Sequence, residues 1–93
     1  MLEIRSSCEN CQAALPNESS KAMICSYECT FCQDCVEQIL FNVCPNCGGG
    51  FEKRPTRPKS ELARNPVRKE IVFKPVENNP FLEKNKNIDP RDR

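Results

Sequence analysis

Eight cysteines lie between Cys8 and Cys47, spaced C-x2-C-x13-C-x3-C-x2-C-x2-C-x8-C-x2-C. They divide into four short pairs, Cys8/Cys11, Cys25/Cys29, Cys32/Cys35 and Cys44/Cys47, with none left over. An intervening pair or triplet of residues lets a tight turn aim two sulfurs at one tetrahedral ion, at zinc–sulfur distances near about 2.3 Å. Four pairs make two four-cysteine sites. Three other chemistries use the same residues. Adjacent-pair disulfides would close only short, strained loops, and the N-terminus MLEIRSSCEN lacks the apolar run of a secretory signal. A redox dithiol needs one C-x-x-C at a helix start in a βαβ context, which a chain of 93 residues with three such motifs cannot house. An iron–sulfur cluster takes four thiolates, so the spacing by itself does not name the metal. Two structural Zn²⁺ ions are the reading we carry forward.

The need for metal follows from the rest of the composition. Hydrophobic residues make up 38% of the chain, with no Trp. A domain this small and this poor in apolar material needs a metal, disulfides or a partner to hold together. Closed all-thiolate sites leave no coordination position for water or substrate, and the chain has no His to act as a base near neutral pH. The expectation is a non-enzyme with no small-molecule substrate. Bound thiolates with no cysteine to spare also argue against metal storage or thiol-based redox sensing.

Charge and proline divide the chain near Gly50. Residues 1–51 carry two Lys or Arg against six acids, a formal −4, and residues 52–93 carry twelve against seven, a formal +5. Six of the eight prolines lie from Pro55 onward. We therefore expect a metal-bound domain over 1–50 and a proline-rich, basic, extended or disordered tail over 51–93. A chain cut after Gly50 should then keep the cysteine region folded. No segment approaches the about 20 apolar residues of a membrane span, and the expected location is cytoplasmic.

Within 1–50, Leu2 and Ile4 alternate with Glu3 and Arg5 as a weak strand. Ala22–Ile24 and Thr30–Phe31 form a hairpin about Ser26-Tyr27-Glu28. Val36, Ile39, Leu40 and Val43 fall at i, i+3, i+4, i+7, which predicts one α-helix over about 33–42 with that stripe in the core. Phe41 falls off the stripe and is a candidate contact residue. In the tail, Ile71-Val72-Phe73 and Phe81-Leu82 are short apolar islands, available to dock on the core or to bind a partner.

Spacing leaves the wiring of the pairs open. Resemblance narrows it. The order C-x2-C, long loop, C-x3-C, Thr30-Phe31, C-x2-C, then Cys44-Pro45-Asn46-Cys47 resembles the RING finger, a cross-braced treble-clef fold with two zincs. That likeness implies a small zinc-stabilised α+β domain with Cys8, Cys11, Cys32 and Cys35 on the first zinc. It puts Cys25, Cys29, Cys44 and Cys47 on the second, and Phe31 buried between the metals. Cys29 stands where most RINGs have histidine. The opening MLEIR, the cysteine series and Arg54-Pro55-Thr56-Arg57-Pro58 are similar to a family of short bacterial cysteine-rich proteins, domain of unknown function 1272.

The function expected from these readings is an adaptor-type module with an unknown protein partner. The candidate contact residues are Phe41, Pro45, Lys53, Arg54, Arg57 and Lys59. Two alternatives stand beside it. A ubiquitin-ligase-like RING scaffold would want an aliphatic residue in the first knuckle, which holds Glu9 and Asn10 instead. Nucleic-acid binding would use the basic stretch Lys53–Lys69, which carries no aromatics.

Overall fold

The computed structural model describes all 93 residues. Its regular elements are short: β1 (Ala22–Ile24), β2 (Thr30–Cys32), α1 (Gln33–Gln38), β3 (Glu52–Lys53), α2 (Lys59–Leu62), α3 (Leu82–Asn85) and a closing 3₁₀ turn, Pro90–Asp92. The expected hairpin forms. β1 and β2 pair antiparallel, Met23 opposite Phe31, and Glu28 takes a left-handed φ of 67° in the turn. β3 then adds to the other edge of β1, giving the order β2-β1-β3. The architecture is a small α+β fold.

Phe31 on β2 is the centre of the core, 1% exposed. Its ring meets Phe51 edge-on, centroids 5.5 Å apart and planes at 81°, the favoured quadrupolar arrangement. Leu15, Val36 and Leu40 join them, and half of the twelve-residue cluster is cysteine. Apolar burial here is inseparable from the sulfur groups.

α1 starts directly after Cys32, whose sulfur accepts the Cys35 amide at 3.5 Å as an N-cap, and Asp34 sits in the first turn. It is shorter than the stripe predicted. The Ile39 and Leu40 amides both close onto the Cys35 carbonyl, and Phe41 (φ 48°) and Asn42 (φ 59°) are left-handed, which ends the helix. Asn tolerates that conformation, and its side-chain oxygen accepts the Phe51 amide at 2.9 Å. The unwinding splits the stripe. Val36, Leu40 and Val43 are buried, whereas Ile39 is 46% exposed. Leu2 and Ile4 also depart from expectation. Ile4 is buried but lies in no strand, its carbonyl taken by the Arg68 amide.

The segment after Gly50 has only β3, α2, α3 and the closing 3₁₀ turn as regular elements, and it is wound onto the cysteine region. The radius of gyration, 13.2 Å, is near the about 12 Å of a fully packed chain this long. Arg54 is 4% exposed and donates to the carbonyls of Arg5 (2.7 Å), Leu15 (3.0 Å) and Pro16 (2.6 Å). The Asn17 side chain makes a two-way bridge with the Arg57 backbone, 2.9 Å each way, and the Arg57 guanidinium donates to the carbonyls of Leu2 and Asn65. Farther on, Asn85 donates to the Gly48 carbonyl at 3.0 Å. Gly48 has φ 79°, and a Cβ there would lie 2.7 Å from the Asn85 amide and 2.9 Å from the Phe81 ring, so only glycine lets that island approach.

A chain cut after Gly50 tests the expected 1–50 boundary against these contacts. Such a chain loses Phe51, β3 and Arg54 together. Phe51→Ala should alone cost about 3–5 kcal/mol, read as the urea midpoint in excess zinc. An unchanged midpoint would mean that the Phe31–Phe51 pair contributes nothing to stability.

Candidate metal centre

The cysteines gather into two groups that alternate along the chain. In the first, the sulfurs of Cys8, Cys11, Cys32 and Cys35 all lie within 4.8 Å of one another. Cys8 and Cys11 sit on a tight loop stapled by Cys8 N–H to Ala13 C=O (2.9 Å) and Gln12 N–H to Cys8 C=O (3.0 Å), with Gln12 left-handed at φ 63°. Cys32 ends β2 and Cys35 lies in the first turn of α1. The Cys11–Cys32 sulfur separation is 3.7 Å. A tetrahedron with metal–sulfur bonds of about 2.3 Å has edges of roughly 3.8 Å, so the donors fit a zinc-sized ion.

In the second group, the sulfurs of Cys25, Cys44 and Cys47 meet the same 4.8 Å criterion. Cys29 stands at its margin, tied to it by two observations. Its carbonyl accepts the Cys25 amide at 3.2 Å, and its sulfur accepts the Asn46 side-chain amide at 3.4 Å. Both groups could hold a metal ion. Phe31 lies on the strand that leads from Cys29 of the second group to Cys32 of the first.

Thiols this close cannot all ionise alone. Hydrogen bonds from Cys29 and then Cys44 hold Cys25 down to about 3, and the same contacts with Cys25 and Cys29 drive Cys44 far above the ordinary thiol value. In the first group burial pushes Cys35 and Cys32 up, while the Ala13 backbone amide draws Cys11 down. Within each set one thiol is drawn toward ionisation while its neighbours are pushed away from it. A divalent cation removes that conflict by stabilising four thiolates at once. Backbone donors are already aimed at the sulfurs: Tyr27 N–H to Cys25 at 3.3 Å and Gly49 N–H to Cys47 at 3.4 Å.

The candidate contact residues fare differently. Phe41 is 56% exposed at one wall of a hollow of about 460 Å³ shared with Met23, Val36, Glu37 and Phe51. Lys53 and Lys59 are exposed. Pro45 is half-buried beside the tail residues Lys74–Asn78. Arg54 must be withdrawn as a partner-facing residue: backbone carbonyls satisfy its terminal nitrogens in the interior, and only its buried Nε lacks a partner. Arg57 is half-buried, with both terminal nitrogens engaged inside the fold.

Two residues went unselected in the sequence. Asn10 donates its side-chain amide to the Cys35 sulfur at 3.4 Å, as Asn46 does to Cys29. Each lies just before the second cysteine of a C-x-x-C knuckle, in Cys8-Glu9-Asn10-Cys11 and Cys44-Pro45-Asn46-Cys47. That repeated C-x-N-C was the available signal.

With this geometry in place, comparison with known proteins is direct. A family model described as protein of unknown function (DUF1272) matches residues 1–57. The chain belongs to the DUF1272 family. It is 49% identical over 75 residues to an uncharacterized protein of Rhizobium meliloti (strain 1021), covering 81% of this chain and 89% of that one. No solved structure matches it. The DUF1272 match takes in all eight cysteines, both asparagines, Phe51 and the Arg54–Arg57 clamp, and stops short of Lys74–Val76.

Proposed function

We propose that this DUF1272 protein is a non-enzymatic, cytoplasmic adaptor built on two structural zinc ions in a RING-like, cross-braced treble clef. One observation carries the reading: the two sulfur groups alternate along the chain, so each strand and loop between them is pinned at both ends. Four sulfurs around each ion fill its coordination shell, which suits a scaffold rather than a catalyst.

Large apolar side chains are exposed at Tyr27, Phe41, Ile71 and Phe73 among others, and Phe41 is the one among them held on a left-handed backbone. Phe41 projects its ring to solvent from a left-handed backbone, a conformation that costs a non-glycine residue of order 1 kcal/mol. Ile39, also exposed, precedes it by two residues. A protein partner burying Phe41 would offset that cost. Nucleic acid is less well served. Within Lys53–Lys69, Arg54 and Arg57 spend donors on carbonyls, Arg64 pairs with Glu61, and Arg68 pairs with Glu3 and Glu70. The ligase-like reading has lost ground too. Lys74 and Val76 of the tail lie against Glu9 and Asn10, on the knuckle such a scaffold would present.

Cross-linking from the native cytosol tests the adaptor reading. Phe41→Asp should remove a specific partner while zinc content stays at two per chain. An unaltered cross-linking pattern would place the contact elsewhere.

A further inference from the structure

The tail residues Lys74–Val76 cross both cysteine knuckles, and their contacts converge on the two asparagines. Lys74 N–H donates to the Glu9 carbonyl at 2.8 Å. Val76 N–H donates to Asn10 Oδ1 at 2.7 Å, and the Lys74 ammonium donates to Asn46 Oδ1 at 3.3 Å. The opposite end of each amide meets sulfur: Asn10 Nδ2 on Cys35 and Asn46 Nδ2 on Cys29, both at 3.4 Å. The orientation of Asn10 is dictated by its neighbours, because a backbone N–H can only be met by the amide oxygen, which turns the NH₂ toward the sulfur.

From this arrangement, and resting on the two-zinc reading above, we infer that Lys74–Val76 is a strap that slows metal loss from both sites through Asn10 and Asn46. With zinc bound, four thiolates leave each site at a net −2, and every N–H donor on a sulfur stabilises that excess charge. A free asparagine side chain samples several rotamers, of which one presents its NH₂ to sulfur. Val76 holds Asn10 in that rotamer from the far side, and Lys74 does so for Asn46 while adding a positive charge near the second group. The strap also packs down: Val76 is half-buried against the core cluster. Three tail residues thus reach both metals without touching either.

The experiment uses the full-length protein loaded with cadmium-113, which reports tetrathiolate sites as separate NMR resonances. Each resonance is followed after addition of excess EDTA. Val76→Pro deletes the N–H that Asn10 accepts and leaves every cysteine and asparagine in place. It should speed loss from the Cys8/Cys11/Cys32/Cys35 site about five- to tenfold, with two ions still bound at the start. Val76→Ala keeps the N–H and should change that rate less than twofold. Asn10→Ala should exceed Val76→Pro, in the range of about 10–100-fold typical for residues that support ligands. Lys74→Met, at an exposed position where folding is undisturbed, should speed loss from the other site about twofold. Equal rates for Val76→Pro and wild type overturn the strap. So does a Val76→Ala effect as large as that of Val76→Pro, since packing rather than the hydrogen bond would then be responsible. If wild type binds fewer than two ions, the two-metal reading itself fails, and the strap with it.

Discussion

Exposure to a strong chelator should unfold residues 1–57, with loss of dispersed amide resonances and of the far-ultraviolet signal of β1, β2 and α1. Native mass spectrometry of the untreated protein should show two zinc ions per chain. The magnitudes leave little room for another result. A structural zinc site is worth on the order of 10–16 kcal/mol, against about 5–15 kcal/mol for the total stability of a domain. The apolar cluster cannot compensate, because six of its twelve members are cysteines. Removing the ion leaves those sulfurs as crowded thiols, several pushed toward protonation and one ionised beside them. Cys32→Ser and Cys44→Ser should each collapse the same region, one through each site. A chelated chain that keeps its amide dispersion would show that the sulfur groups are packing elements and not ligands.

The second large effect is expected at Arg54. Its guanidinium is buried with no carboxylate partner, held instead by three carbonyls from two separate loops, Arg5 on one side and Leu15 and Pro16 on the other. Burial draws its pKa below the ordinary value, with Glu18 opposing weakly. Arg54→Met keeps the length of the stem but strands three inward-facing oxygens. Each unsatisfied group costs about 1–3 kcal/mol, so a loss of roughly 3 kcal/mol is a conservative expectation. Arg54→Lys should recover little, since one ammonium cannot span the fork's reach to both loops. The readout is the urea midpoint at saturating zinc. Equal stabilities for wild type and Arg54→Met would show that the clamp contributes nothing. Because the DUF1272 match ends at Arg57, a chain ended there retains this clamp, unlike one ended at Gly50.

What could be read from the residues was governed by short-range geometry. C-x-x-C spacing forces two sulfurs to one side of a turn, and a left-over count of zero forces pairs of pairs. An apolar run and turn residues placed the hairpin at Ala22–Ile24 and Thr30–Phe31, one residue short of the observed strand end at Cys32, and the RING resemblance marked Phe31 as the aromatic that the core closes upon. Helix length was misjudged for a physical reason. The stripe Val36, Ile39, Leu40, Val43 is compatible with ten helical residues, but Asn42 is drawn away to hold the Phe51 amide, and the helix stops at Gln38.

Charge was the poorest guide. Lys53, Arg54 and Arg57 lie within five residues and look alike in sequence, yet one is exposed, one buried and one half-buried. Nothing local separates them. Their fates depend on which carbonyls the loops at Arg5, Leu15 and Leu2 leave unpaired, and those loops lie about 40 to 55 residues away. The same holds for Asn10 and Asn46, whose repeated position was visible but whose double duty needs a tail residue 66 or 28 positions distant.

By itself the sequence determined that sulfur, arranged in pairs, would organise this chain, because pair spacing is a property of a few consecutive bonds. Resemblance anticipated which pairs meet, and tertiary structure alone decided that Arg54 and Arg57 of the basic tail are spent as a clamp on distant carbonyls. Backbone carbonyls and amide rotamers find their partners only once distant segments are already folded against each other.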